Sequence, residues 1–255
     1  MKISLLRRAA LSALGPLLFA AGAVLFTGSA FLFPGCALLF PRSAGAATNG
    51  FPFTAESLNY SVNWPSGLNL GEGHLRASQE AGNWSFDLTL NASVPGFDVI
   101  DHYHSSATPD FCSTSFDRTS SHGTRKTKET ETISNGEVTR QTDSGGGKSE
   151  LRAQACVKDA LTFLFFTRRE LGQGRVPPPQ QIVYGSLYSA RLDYVGAPVI
   201  QIAGKPEQSD MLTCTMTGPT STIKFEMYFA RDAARTPLLI RVPLQMGSFA
   251  MELVR

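Results

Sequence analysis

Two histidines at alternate positions, His102 and His104, have the spacing in this chain most suited to metal or proton chemistry. They belong to the segment Asp98-Val-Ile-Asp-His-Tyr-His104. Alternate side chains of a strand point to the same face, so two such imidazoles can share a metal ion. The next residues on that face of the strand are Ile100 and Ser106, and neither completes a tight site. The sequence therefore predicts a solvated polar strand face and no metal ion.

Other motifs for catalysis are incomplete. The segment Asp143-Ser-Gly-Gly-Gly-Lys-Ser149 resembles a phosphate-binding loop, but Thr142 stands where the first glycine is needed and no strand–loop–helix context surrounds it. No Gly-x-Ser-x-Gly elbow presents a serine nucleophile. Cys156 precedes a predicted helix, a position that can lower a thiol pKa. The leader-like composition of residues 1–47 predicts export, however, and an exported cysteine is more often bridged. We therefore predict a non-enzymatic protein without a cofactor.

Period-two alternation dominates the segments that would position these residues. In Trp84-Ser-Phe-Asp-Leu-Thr-Leu-Asn-Ala-Ser-Val94, every apolar side chain falls on one face, as expected of a half-buried strand. Residues 223–229 repeat this pattern, and residues 248–254 follow it more loosely. Further strands are predicted at 56–64, 68–79, 99–108, 124–133, 137–143, 181–195, 198–203, 210–217 and 237–244. Turn signals such as Asn135-Gly136 separate them.

One segment breaks the alternation and predicts a helix of about three turns near residues 158–171. Asp159 is its candidate N-cap, Gly172 ends it, and Arg168 and Arg169 lie near its negative end. Its apolar residues surround more than one face, so we expect it to be wedged into the core or across a sheet opening. The predicted fold is mainly β: a strongly curved antiparallel sheet, a β-roll or half-barrel, with one central helix after an N-terminal signal helix.

Residues 1–47 have the composition of an export signal. They contain no acidic residue, and an uncharged run follows Arg7 and Arg8. Ala44-Gly45-Ala46 supplies the small residues that a signal peptidase requires, so we expect cleavage after Ala46 or Ala47. The apolar run is also long enough to remain as an uncleaved membrane anchor. Lipidation at Cys36 is less favoured because apolar residues, and no polar tether, follow it. Either way, residues 48–255 are predicted to be one domain in the periplasm or outside a bacterial cell.

The charge balance argues against nucleic-acid binding. All 21 acidic residues and 19 of the 23 basic ones lie after residue 47, which gives the predicted mature chain a net charge of −2. A nucleic-acid-binding protein is expected to carry a basic stripe. Membrane contact is expected only through the N-terminal segment.

Three cysteines follow the predicted leader. In an oxidising compartment one pair is expected, and we favour Cys112 with Cys156 because both lie in polar surroundings at element ends. Cys214 lies inside a strand-like segment and would remain a free thiol.

The apolar strand faces could line a groove for a lipid or acyl chain. The candidate ligand-binding residues are Trp84, Phe86, Leu88, Phe225, Met227 and Phe229. The interpretation that we favour is simpler: the same side chains form the core that a domain of this size requires.

Several segments resemble the bacterial exported family known as domain of unknown function 3108. They are Glu56-Ser-Leu-Asn-Tyr-Ser-Val-Asn-Trp64, Lys158-Asp-Ala-Leu-Thr-Phe-Leu-Phe-Phe-Thr-Arg-Arg169, Ile202-Ala-Gly-Lys-Pro-Glu207, Phe225-Glu-Met-Tyr-Phe-Ala-Arg-Asp-Ala-Ala-Arg-Thr-Pro-Leu238 and Met246-Gly-Ser-Phe-Ala-Met-Glu-Leu253. The resemblance covers nearly the whole predicted domain. It implies a curved antiparallel sheet, loosely similar to the lipoprotein-carrier half-barrels of the bacterial envelope, and it implies no catalytic residue.

Three hypotheses about function follow. The first is a non-enzymatic envelope protein that binds a lipid-like apolar ligand or an envelope protein. The second is a structural or assembly module of the envelope that docks through an exposed sheet edge. The third is a hydrolase that uses His102, His104 or an uncommon nucleophile.

Overall fold

The computed structural model describes residues 55–94, 96–143, 146–244 and 247–254 of the chain, so the predicted leader lies outside the described residues. These ranges contain one helix, α1 (Ala160–Gly172), and sixteen strands. The strands are β1 (Ala55–Asn63), β2 (Asn69–Glu80), β3 (Asn83–Val94), β4 (Phe97–Ala107), β5 (Ser113–His122), β6 (Arg125–Ser134), β7 (Glu137–Thr142), β8 (Gly147–Arg152), β9 (Lys158–Asp159), β10 (Gln180–Val183), β11 (Leu187–Gly196), β12 (Val199–Ile202), β13 (Lys205–Thr217), β14 (Thr222–Ala230), β15 (Pro237–Leu244) and β16 (Gly247–Leu253).

The strands form one large sheet that does not close. Its order is β8-β7-β6-β5-β4-β3-β2-β1-β16-β15-β14-β13-β11-β10-β9, with β12 paired to β13. The pairing of β1 with β16 joins the meander of the first eight strands to the C-terminal half. Among the described strands, the pairs are antiparallel except β9 with β10, which is parallel.

Helix α1 begins where the sequence predicts. The side chain of Asp159 accepts hydrogen bonds from the backbone N–H groups of Leu161 at 2.9 Å and Thr162 at 3.0 Å, which satisfies two amides at the helix N-terminus. The helix contacts β3 and β4 as well as β9 and β10, which lie far apart in the strand order. The sheet therefore bends around the helix.

The inner side of the sheet is filled by aromatic rings. Phe86 on β3 stacks on Phe165 of α1, with ring centroids 4.1 Å apart, and Trp84 stacks on Phe111 at 5.5 Å. Phe86 and Phe165 are completely buried. Ring stacking adds to the hydrophobic gain of burial and helps to position α1 on the sheet.

The predicted fold class is confirmed in its main features: a mainly β chain with one helix and one large sheet. Two expectations about strands are wrong. Segment 181–195 is not one strand but the hairpin β10–β11, which turns at Gly185 with φ +67°. Strands β5, β8 and β9 are missing from the prediction. Strand β5 was missed because its sequence, Ser-Thr-Ser-Phe-Asp-Arg-Thr-Ser-Ser-His, has too little apolar alternation.

A third expectation is also corrected, because the sheet is not wholly antiparallel. Lys158 and Asp159 of β9 run parallel to Ile182 and Val183 of β10. This two-residue strand leads directly into α1, so the helix starts from the end of the sheet.

The described ranges contain no helix with both the length and the apolar content that crossing a membrane requires.

Candidate functional site

The histidine pair predicted from the sequence lies on the polar outer side of β4. His104 Nδ1 is 2.8 Å from Asp87 Oδ1, and His102 Nε2 is 3.8 Å from the same oxygen. The His102 side chain is 53% exposed. In the part of the chain that the structure describes, no three His, Cys, Asp or Glu side chains are grouped to hold a metal ion. The arrangement is that of a solvated strand face.

The six predicted ligand-binding residues belong to the core or pack against it. Four of them are buried: Trp84, Phe86, Met227 and Phe229. The other two, Leu88 and Phe225, are partly buried and pack against the same cluster. Neither of the two grooves described below is lined by any of the six. Their binding of a lipid stays a prediction.

One groove, with a volume of about 800 Å³, lies on the outer side of β1 to β4. Its position follows from strand register, because residues directly opposite each other on neighbouring strands share a face. Asn59 lies opposite His74, and Ser61 lies opposite Glu72. The second row continues through Asn91 on β3 to Ile100 on β4. Side chains from four strands are thus brought into one groove. The lining residues are Asn59, Tyr60, Ser61, Asn69, Leu70, Gly71, Glu72, His74, Asn91, Ala92, Ser93, Asp98, Ile100 and Val254.

Several polar side chains of this groove pair with one another in two separate groups. His74 Nδ1 lies 2.8 Å from Asn59 Oδ1, and His74 Nε2 lies 3.5 Å from Glu72 Oε1. Ser93 donates to Asp98 at the other end of the groove. Two carboxylates line the groove and no lysine or arginine does. The groove therefore favours neutral or positively charged ligands.

Apolar surface interrupts the polar lining. Leu70 is buried, with 7% of its surface exposed, whereas Ile100 and Val254 are 50% and 53% exposed. Such exposed apolar side chains beside amide groups provide both contact area and hydrogen-bonding partners for a ligand. A second, smaller groove of about 250 Å³ lies between Gln154 and the β10–β11 hairpin.

A buried charge cluster occupies the inner side of β5, β6 and β7. Glu129 accepts hydrogen bonds from Arg118 and Arg140, and Glu131 accepts one from the backbone N–H of Gly185 at 2.8 Å. Burial, with a smaller contribution from Glu129, raises the pKa of Glu131 to about 8, although the Gly185 hydrogen bond opposes the shift. One buried atom of each charged residue, namely Arg118 Nε, Glu129 Oε1, Glu131 Oε2 and Arg140 Nε, has no hydrogen-bond partner.

This cluster fastens the β10–β11 hairpin to the sheet. The Arg118 guanidinium lies over the Tyr184 ring, 4.9 Å from its centroid, and Tyr184 packs beside Tyr103. Glu129 approaches Gly185 closely enough that a Cβ there would lie 3.3 Å from Glu129 Oε1. The cluster therefore stabilises the contact between distant strands. Its carboxylates line neither of the two grooves.

The disulfide predicted from the sequence is confirmed, joining Cys112 to Cys156. Cys214 is a buried free thiol, as expected, and burial raises its pKa to about 12. A disulfide fits an oxidising compartment.

Neither the outer groove nor the inner charge cluster was predicted from the sequence. Asn59, Asn69 and Asn91 are far apart in the chain, and nothing local indicates that they line one groove. Glu129 and Glu131 lie in a charged segment that resembles a solvated hairpin, whereas the structure buries both carboxylates. Their alternate spacing was the one usable signal, because it places both on the same face of a strand.

The chain belongs to the family "Protein of unknown function (DUF3108)", whose model matches residues 59–254. Among solved structures, it is similar to one described as a "Beta-barrel-like Protein of Domain of Unknown Function DUF1849" from Brucella abortus. The two share 9% sequence identity with a TM-score of 0.57, over 81% of this chain and 98% of the other. That similarity concerns the fold alone. No curated protein matches the chain.

Proposed function

We propose that this protein is a non-enzymatic binding protein of the bacterial envelope, which holds an extended, neutral or basic peptide segment of a partner protein in its outer groove. The observation that carries the proposal is the groove of about 800 Å³ on β1 to β4, lined by amides, carboxylates and exposed apolar side chains. The binding partner is a protein.

The lining of the groove matches the chemistry of an extended peptide. The amides of Asn59, Asn69 and Asn91 offer both donors and acceptors, as the backbone of a peptide does. Glu72 and Asp98 provide negative charge for a lysine or arginine side chain. Ile100 and Val254 are exposed and offer apolar contact between these polar groups.

Packing of the inner side favours a protein partner over a lipid. A lipid-binding half-barrel needs a cavity for the acyl chain, whereas here α1 and its aromatic rings occupy the side to which the apolar residues point. Extraction of lipid from the purified protein, followed by mass spectrometry, tests the apolar-ligand alternative directly.

Docking through the β8 edge, the structural-module alternative, has less support. Lys148, Glu150 and Arg152 are exposed on β8, which ends the sheet on one side. Charged residues on an edge strand discourage pairing with another strand. The groove, in contrast, combines concave shape with both polar and apolar contacts.

The proposed compartment is the periplasm or the exterior of the cell. The leader-like composition of residues 1–47 and the disulfide between Cys112 and Cys156 support it. If the leader stays uncleaved, the protein is anchored to the membrane through that segment alone.

A peptide-array experiment tests the proposed function. The purified protein is applied to arrays of extended peptides in which lysine and arginine replace glutamate and aspartate at matched positions. We expect binding to neutral and basic peptides, and a loss of at least tenfold in Glu72→Lys and Asp98→Lys. The control variant is Glu80→Lys, which changes an exposed residue of β2 outside the groove.

Two results would contradict the proposal. One is equal binding by the groove variants and Glu80→Lys, and the other is a preference for acidic peptides. The variants are compared by thermal unfolding, so that a loss of binding is separated from a loss of fold.

A further inference from the structure

The disulfide between Cys112 and Cys156 has a buried lysine beside it. Lys158 is 3% exposed, and its ammonium nitrogen lies 3.3 Å from the carbonyl oxygen and 3.8 Å from the sulfur of Cys156. The same nitrogen lies over the Phe166 ring, 4.2 Å from its centroid. This packing holds the positive charge close to one of the two sulfurs.

The surroundings of Lys158 are positive. The Arg169 guanidinium lies over the same Phe166 ring, 4.9 Å from its centroid. Glu170, the acid that acts on Lys158 most strongly, is ion-paired with Arg169 and Arg175. Burial and the charge of Arg169 lower the pKa of Lys158 to about 8. A negative charge on the Cys156 sulfur would relieve both unfavourable effects.

The two cysteines are within reach of a reaction partner. Both are partly exposed, and Cys156 follows the exposed residues 154–155. Cys112 ends the loop between β4 and β5. A disulfide is opened most readily when the departing sulfur is the more stable thiolate. Lys158 gives Cys156 that property, and the Cys112 sulfur is therefore the one to be attacked.

We propose that the Cys112–Cys156 disulfide is a thiol-exchange site for a dithiol reductant, in which Lys158 is a positioning residue that stabilises the departing Cys156 thiolate. A thiolate of the reductant attacks Cys112 Sγ, the bond between the two protein sulfurs breaks, and its electron pair goes to Cys156 Sγ. The second thiol of the reductant then attacks the mixed disulfide as its thiolate and releases the Cys112 thiolate, which takes up a proton. The reductant leaves as a disulfide, and two electrons remain in the two protein thiols.

Opening the bond leaves other links between the same segments. The backbone N–H of Ser113 donates to the carbonyl of Val157 at 3.0 Å, and the Ser113 hydroxyl donates to Asp159 at 2.6 Å. These bonds keep β5 beside the start of α1 after reduction. The exchange therefore changes the loop at Cys112 without unfolding the helix.

Redox equilibration tests the proposal. The full chain is equilibrated with mixtures of reduced and oxidised dithiothreitol, quenched in acid, alkylated under denaturing conditions and weighed by mass spectrometry. At pH 8, substitution Lys158→Met should lower the equilibrium constant for reduction at least about threefold, which is about 15 mV for a two-electron couple, because a Cys156 thiol pKa about one unit lower stabilises the reduced protein by that factor. The control Lys148→Met removes a 62% exposed lysine on β8 and should leave the constant within twofold of wild type. A Lys158→Met constant within twofold of wild type would overturn the proposal.

A second measurement keeps the proposal testable if Lys158→Met does not fold. In Cys112→Ser, the alkylation rate of the Cys156 thiol is followed against pH, while the buried Cys214 thiol reacts slowly. The thiol pKa should lie at least about one unit below the ordinary value of about 8.5. A pKa at or above that value would contradict a stabilising role for Lys158.

Discussion

Substituting Glu131 by glutamine should abolish a pH dependence of stability that the buried charge cluster creates. The Glu131 carboxyl is fully buried on β6, accepts a hydrogen bond from the Gly185 N–H and lies beside Glu129. Burial raises its pKa from 4.5 to about 8. Glutamine keeps the shape and the acceptor oxygen but cannot ionise.

The sign of the effect follows from proton binding. Between pH 4.5 and about 8 the folded protein holds the Glu131 proton and the unfolded chain has released it. Stability therefore falls as pH rises through this range, because the folded state binds more protons than the unfolded one. Each pH unit lowers the free energy of unfolding by at most about 1.4 kcal/mol, so the contribution of Glu131 declines by roughly 3–4 kcal/mol from pH 5 to pH 8.

Urea unfolding of wild type and Glu131→Gln at pH 5, 6, 7 and 8 measures this decline. As the pH rises from 5 to 8, the free energy of unfolding of Glu131→Gln should increase by several kcal/mol relative to that of wild type. The matched control is Glu137→Gln, at an acid of β7 that is 73% exposed, and its difference should stay flat. A constant difference for Glu131→Gln across the whole range would refute the buried-acid reasoning.

Three further predictions concern packing and the free thiol. Arg168→Met should lower the free energy of unfolding in urea by about 3–5 kcal/mol, because it leaves Glu56 without its bidentate partner, and adding Glu56→Gln should recover part of the loss. Gly185→Ala should lower the melting temperature by about 3–6 °C, because an alanine in the left-handed conformation costs about 1–2 kcal/mol. The decrease should be larger than for the control Gly204→Ala, where φ is +76° but no atom lies within 4 Å of the new Cβ. Equal losses at the two glycines would exclude a role for the contact with Glu129. Cys214 should resist iodoacetamide in the folded protein, because its thiol is buried and has a pKa of about 12, and rapid labelling without denaturant would contradict this.

The parts of the fold that follow from local pattern were predictable from sequence. Alternation in 84–94 predicts β3, and Asp159 predicts the start of α1, because both depend on residues close together in the chain. Cys112 and Cys156 could be paired because both lie at element ends. These features need no knowledge of which strands are neighbours.

Features that depend on register could not be predicted. The groove exists because Ser61, Glu72, Asn91 and Ile100 lie opposite one another on four strands, an alignment fixed by the whole sheet. The ion pair between Arg168 and Glu56 joins residues 112 positions apart. An arginine near a helix C-terminus also has a simpler interpretation, in which it interacts with the helix dipole and solvent.

Strand β5 failed prediction for a different reason. Its inner positions include Arg118 and Ser120, because this part of the sheet faces the buried charge cluster. Where a core is polar, the alternation of apolar and polar residues that indicates a strand is lost. For the same reason, the sequence does not indicate that Glu129 and Glu131 are buried.

An NMR titration tests most directly where a partner binds. Backbone-amide spectra of the isotopically labelled protein are recorded while a lysine-containing extended peptide, selected on the arrays, is added. We expect chemical-shift changes concentrated at Asn59, Glu72, His74 and Asn91. These changes should reach saturation with added peptide in the wild-type protein and should not do so in Glu72→Lys. Changes concentrated instead around Phe86 and the other residues that pack on α1 would contradict binding in the outer groove, and so would a spectrum that does not change.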